Sequence, residues 1–266
     1  MSFFKVLPSF LISFMVLSLI ACKTDAGDTE VKAAAKPQEK PEEQSEQDML
    51  TRTKAMFAAA RPDLKVKEIQ PTGVEGISLV VFEGRGSAYL VGEGPHIFTG
   101  DLLKLGDGMI TNLTEESKNA PRKELIASVK DEDMIIFNPE GEIKASVVVF
   151  TDVDCGYCRK LHNEVPKMNA LGIQVKYMAY PRAGVGSKSY EKIASAWCAE
   201  NPQDALTKLK SGETIPTNVC DGNPVPQHFN FAMRAGLTGT PAIILDSGQL
   251  IPGYLTAEKL ARNLGI

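Results

Sequence analysis

Four consecutive apolar residues, Val147-Val148-Val149-Phe150, lead directly into Cys155-Gly156-Tyr157-Cys158, and this segment constrains the chain most. An unbroken apolar run is the pattern of a strand buried on both faces. The stretch from about Cys155 to Ala170 reads as a helix, so the two cysteines fall at a strand-to-helix junction. Cysteines three apart on the first turn of a helix are close enough to form a local disulfide. The helix start presents unpaired N–H groups and the positive end of the dipole to the outer sulfur. Its thiolate is stabilised, so Cys155 is the expected nucleophile at neutral pH. Cys158, one turn further in, is expected to be more buried and to resolve a mixed disulfide. Gly156 permits close approach of a substrate chain, and Tyr157 offers an apolar surface beside the sulfur.

Competing uses of this pattern are opposed by the residues around it. A c-type haem site needs histidine directly after the second cysteine, where Arg159 stands. A zinc site would have to recruit His162, on the same helical face as Cys158, without a second close cysteine pair. His162 is expected to be an exposed or packing residue, and no metal or cofactor is expected. A purely structural Cys155–Cys158 bridge would be a small, strained and redox-labile ring. Cys198 and Cys220 leave two readings open. They form a structural bridge that closes a helical insertion, contributing about 3 kcal/mol in the chain-entropy model, or they form a second redox pair. Trp197 is expected to pack against that bridge.

Residues 131–266 carry the rest of this pattern. Met134–Phe137 and Ile143–Thr151 read as strands, then the helix from Cys155, then a strand Gln174–Tyr180. Ser189–Glu200, Gln203–Lys210 and Gln227–Ala235 read as helices, Ala242–Asp246 and Gln249–Ile251 as a hairpin, and Ala257–Leu264 as a last helix. This order is thioredoxin-like with a helical insertion. Gly239-Thr240-Pro241 directly precedes the strand from Ala242. In such a fold Pro241 is expected to be cis and Thr240 to set its backbone beside the active sulfurs, open to an extended substrate.

The front of the chain is different in kind. Lys5 and the apolar run Val6–Ala21 suit the core of a signal peptide, residues 1–21, and are too short for a comfortable bilayer span. Leu19-Ile20-Ala21-Cys22 resembles a bacterial lipobox, which would lipidate Cys22; an ordinary secretory cut after Ala26 is the alternative. Residues 22–47 hold no aromatic residue and the run Glu42-Glu43-Gln44-Ser45-Glu46-Gln47, and are expected to be a disordered tether. Residues 48–112 read as a small α+β unit. Its helix, capped by Asp48, covers 48–60, and its short strands cover Lys65–Gln70, Ile77–Phe82, Ala88–Val91, His96–Leu103 and Met109–Thr111. So slight a core favours pairing with a second copy. Residues 113–130 read as a linker helix, capped by Thr114 and interrupted at Pro121. With 266 residues, 43% hydrophobic and 23% charged, the chain is globular, of one or two domains. Its net charge of −4 argues against a general nucleic-acid binder.

Several stretches together resemble the bacterial periplasmic disulfide isomerases of the DsbC type. They are Thr151-Asp152-Val153-Asp154-Cys155-Gly156-Tyr157-Cys158-Arg159-Lys160-Leu161-His162, Asn169-Ala170-Leu171-Gly172-Ile173, Trp197-Cys198-Ala199, Gly239-Thr240-Pro241-Ala242 and Leu250-Ile251-Pro252-Gly253-Tyr254. The Gly-Tyr dipeptide favours the isomerase over oxidases resembling DsbA, whose dipeptide is Pro-His. The resemblance implies a periplasmic homodimer joined through its N-terminal domains, with a cleft for misfolded, disulfide-containing exported proteins. It implies Cys155 as attacking thiolate, Cys158 as resolving thiol, Thr240 and Pro241 as substrate-facing, and Cys198–Cys220 as structural. It also implies a membrane thiol reductase resembling DsbD as electron donor. The lipobox and acidic tether depart from the familiar soluble members. The function expected is disulfide isomerisation or reduction; the alternatives are a dimeric holdase, a thiol oxidase, or a reductase dedicated to one partner.

Overall fold

The computed structural model describes residues 41–266 apart from Asp107. The expected signal peptide, Cys22 and most of the expected tether lie outside the described residues.

The first helix, α1 (Pro41–Ala60), begins seven residues before the Asp48 cap expected for it, so 41–47 are helical. Leu50, Met56 and Phe57 of α1 pack on a sheet of β1 (Val66–Pro71), β2 (Ile77–Phe82), β3 (Arg85–Val91) and β4 (His96–Phe98). Each strand pairs antiparallel with the next. Their shared core is Phe57, Val66, Val80, Phe82, Ala88 and Leu90.

The single strand expected over His96–Leu103 is broken in two. Gly100 sits at φ 129, which only glycine adopts without strain, and the chain leaves the sheet there. β5 (Leu103–Gly106) then pairs with β6 (Met109–Asn112) as a separate hairpin.

The linker also breaks earlier than its proline suggested. α2 (Leu113–Glu116) and α3 (Asn119–Ala127) are separated at Ser117–Lys118, and Pro121 lies in the first turn of α3, where its missing N–H interrupts no bond. The cap of α2 is Asn112, whose Oδ1 accepts from Glu115 N at 2.9 Å. Thr114 is instead buried: its hydroxyl accepts from Leu102 N at 2.7 Å and shares a short hydrogen bond with Tyr89 OH. Arg122 of α3 is buried too. It donates through Nε to Ala235 O at 2.8 Å and pairs through Nη2 with Glu115 at 2.6 Å, which ties the linker to the second domain. At Gly248 (φ 84) an added Cβ would lie 1.9 Å from Asn119 O, so this approach to α3 requires glycine.

The second domain is built on one five-stranded sheet. Its elements are β7 (Ile135–Phe137), β8 (Ala145–Thr151), α4 (Gly156–Ala170), β9 (Ile173–Ala179), α5 (Lys188–Trp197), α6 (Pro202–Ser211), α7 (Val225–Arg234), β10 (Ala242–Leu245), β11 (Leu250–Pro252) and α8 (Ala257–Leu264). The strand order is β11-β10-β8-β9-β7, with β8 and β9 parallel and the other pairs antiparallel. Val147 and Val149 join a core with Leu161, Ile193, Leu206 and Leu260 from α4, α5, α6 and α8. Val148 and Phe150 join another with Met178, Phe231 and Ala232. The central strand is thus buried on both faces, as its unbroken apolar run requires. Among the described residues no helix is long and apolar enough to cross a membrane.

Candidate active site

Buried β8 ends at Thr151, and the chain turns through Asp152–Asp154 into α4. Cys155 has extended backbone, φ −99 and ψ 117, and is the residue that caps α4. Its carbonyl accepts the first bond of the helix, from Arg159 N at 3.1 Å. Its thiol therefore sits at a helix N-terminus that no side chain caps. Cys155 is 4% exposed and Cys158 is fully buried, and both are free thiols. Tyr157 is 62% exposed, and nothing stands within 4 Å of a Cβ built on Gly156. One wall of the outer sulfur is thus open.

The other wall is Thr240-Pro241, just before β10, and the Thr240–Pro241 peptide bond is cis. The Cys155 thiol donates to Thr240 O at 3.3 Å. The Thr240 hydroxyl is buried and has no hydrogen-bond partner among the described residues, and so is available to an ionised sulfur.

The two sulfurs are tuned in opposite directions. Burial alone would raise the Cys155 pKa, but it is outweighed by Thr240, the Cys158 backbone N–H and thiol, and the Arg182 charge, which together hold it below the ordinary thiol value. For Cys158 burial wins, and its thiol is pushed up despite the opposing charge of Lys210. Alkylation of Cys155 by iodoacetamide is therefore expected to titrate below the ordinary cysteine value of about 8.5, with Cys158 reacting later and at higher pH. A single midpoint at or above the ordinary value for both thiols would contradict this.

Three charged residues that shape the site carried no role in the sequence reading. Asp152 is buried and accepts from Ser189 Oγ at 2.6 Å, Asp154 N at 2.9 Å, and Arg182 N and Nε at 3.0 Å each. Burial disfavours its charge, but these donors outweigh burial and hold the carboxyl below its usual value. Arg182 is anchored by that carboxylate beside Cys155. Lys210, 3% exposed, donates from Nζ to Thr151 Oγ1 at 2.5 Å and to Asp152 O at 2.9 Å. Lys210 had a legible signal: it lies four residues after Leu206, on the apolar face of its helix.

His162 is buried between Tyr177 OH at 3.2 Å and Thr207 Oγ1 at 3.1 Å, and burial lowers its pKa to about 4, so the ring is neutral. Cys198 and Cys220 are joined as a disulfide at the base of the insertion. Trp197 donates from Nε1 to Asp133 O at 2.8 Å and meets His228 edge-on, with ring centroids 5.8 Å apart.

An outer thiol held towards thiolate beside an inner one held towards the protonated form is an arrangement suited to thiol–disulfide exchange. Fold and site together define a disulfide oxidoreductase of the thioredoxin-like class. The thioredoxin-like domain model matches residues 130–265, and the disulfide bond isomerase N-terminal domain model matches 32–115. The thiol:disulfide interchange protein DsbC of Escherichia coli (strain K12) is 34% identical over 205 residues, 77% of this chain and 84% of that protein. DsbC of Haemophilus influenzae is 33% identical over 196 residues, 74% of this chain and 82% of that one. A crystal structure of a disulfide interchange protein from Neisseria gonorrhoeae is 25% identical with a TM-score of 0.46, covering 52% of this chain and 96% of that one. The chain belongs to the DsbC family of thiol:disulfide interchange proteins.

Proposed function

We propose that this protein rearranges wrong disulfides in exported proteins of the periplasm, with Cys155 as attacking thiolate and Cys158 as resolving thiol. Cys155 Sγ attacks one sulfur of a client disulfide; a Cys155–client bond forms and the other client sulfur leaves as a thiolate. A client thiolate then displaces Cys155 and completes isomerisation, or Cys158 displaces it and leaves the client reduced. Gly156, Tyr157, Thr240 and Pro241 face the client, whose extended chain would pair with the backbone at Thr240. What carries this reading is the 3.3 Å contact of Cys155 Sγ with Thr240 O, which sets the nucleophile against that backbone. The test is Cys158→Ala, which should accumulate the Cys155–client mixed disulfide on non-reducing gels. Its absence with a disulfide-bonded client would overturn the roles.

The β5–β6 hairpin supports the homodimer. Leu103, Leu105, Met109 and Ile110 are all exposed, Leu105 to 77%. Clustered apolar side chains of this kind mark an interaction surface. Sedimentation is expected to give a dimer for the native chain and a monomer for Leu105→Glu/Ile110→Glu; a monomeric native chain would refute it. Cys198–Cys220 serves as a structural brace. Electrons would come from a membrane thiol reductase resembling DsbD, so Cys155 should be found mostly reduced in cells by thiol alkylation. Cys22 as an acyl anchor is checked by the mass of the mature N-terminus.

A further inference from the structure

Lys210 is a buried cation whose two hydrogen bonds both go to uncharged acceptors, the Thr151 hydroxyl and the Asp152 carbonyl. Among the described residues no carboxylate forms an ion pair with it. A buried charge without a contacting counter-ion is costly. The ionisable groups whose charges act on it are Cys158, Asp152, Cys155 and Arg159. Asp152 is already engaged by Ser189, Asp154 and Arg182. On α4, His162 is neutral and turned to Tyr177 and Thr207. That leaves the sulfurs as the negative charges it can serve. Thr151, which holds its ammonium, also favours the ionised form of the Cys158 thiol.

We propose that Lys210 is a positioning residue for the resolving step: its ammonium, held by Thr151 and the Asp152 carbonyl at the junction that leads into the Cys155–Cys158 turn, supports the Cys158 thiolate and so sets how often a mixed disulfide ends in reduction rather than isomerisation. In that step Cys158 gives its proton to solvent and its thiolate attacks Cys155 Sγ. The Cys155–Cys158 bond forms, the Cys155–client bond breaks, and the client sulfur leaves as a thiolate that takes up a proton. The dithiol loses two electrons over the cycle and the client disulfide gains them. Lys210 exchanges no proton in this scheme. Burial lowers its pKa to about 8, so it is mostly charged at neutral pH and loses its effect in alkali.

This inference rests on Cys158 being the resolving thiol, and the experiment separates the two. Single-turnover release of a client from a preformed Cys155 mixed disulfide is measured against pH in the native chain, Lys210→Met and Lys210→Arg. Lys210→Met should slow release about tenfold or more at pH 7, equivalent to one unit in the ionisation of Cys158. Its pH profile should move up, its products should shift towards isomerised client, and alkylation of Cys155, on which Lys210 acts less strongly than on Cys158, should slow by a smaller factor than release does. Lys210→Arg should recover most of the loss, which repair of packing alone would not achieve. In the native chain, the Lys210 Cε resonance should titrate at a lower pH once Cys155 and Cys158 are oxidised, because the thiolate charge is gone. Native release rates and profile in Lys210→Met, or one titration midpoint in both redox states, would overturn the role of Lys210. Failure of Cys158→Ala to trap a client would instead overturn the reading on which it rests.

Discussion

Cys155→Ala is expected to reduce insulin reduction and the refolding of scrambled ribonuclease to the rate of buffer alone, in a protein that keeps its fold. Every exchange starts with attack by a thiolate, and no other described thiol can replace this one. Cys158 is fully buried and held protonated, and Cys198 and Cys220 are bonded to each other. The substitution removes one sulfur at the edge of a helix start and opens little space, so stability should change by about 1 kcal/mol or less. Cys158→Ala makes the contrast. It keeps the attacking sulfur, so isomerisation by a client thiol should persist while net reduction falls. Full activity in Cys155→Ala would dismiss the assignment.

Asp152→Ala is the second large expectation, and it acts on stability and on the site together. Removing the carboxylate leaves two backbone N–H groups, at Asp154 and Arg182, and the Ser189 hydroxyl without their acceptor. Only the Ser189 hydroxyl is fully buried, and the two N–H groups are part-buried and can turn to water, so a loss of about 1–3 kcal/mol is expected at pH 7. The pH dependence has a definite sign. The folded-state pKa of Asp152 is depressed, so its contribution is present above the unfolded value of about 3.9 and fades as pH falls through the folded one. Denaturation of native and variant chains should therefore differ most near neutrality and converge in acid. The variant also frees Arg182, whose charge helps to hold Cys155 ionised, so the alkylation midpoint of Cys155 should rise. Equal stability of the two chains at pH 7 would refute the anchoring role of Asp152.

Much of the second domain was legible because its signals are local. The run Val147–Phe150 can be satisfied only by cover on two faces, and Leu161, Val165, Leu206 and Leu260 carry the helical spacing that supplies it. α8 matches the range read for it, and the other elements of that domain differ at their ends by up to three residues, where caps such as Ser187 and Asn201 decide. The N-terminal unit was less legible. Asn112 and Thr114 are both good capping residues, and what separates them is that Tyr89 and Leu102 engage Thr114. Residues 41–47 looked like tether by composition, yet they continue α1.

The residues alone determined the chemistry: two cysteines one helical turn apart after a buried strand, and a proline before another. Both depend on neighbours in the chain, and periodicity and junctions record those. Only the tertiary structure decided what surrounds the sulfurs. Thr240 reaches Cys155 across 85 positions, Arg182 reaches Asp152 across 30, and Lys210 reaches Thr151 across 59. Ionisation depends on charge and dielectric within a few ångströms, whatever the separation along the chain. No local pattern records such distances, so the tuning of the two thiols became visible only when the sheet brought those segments together.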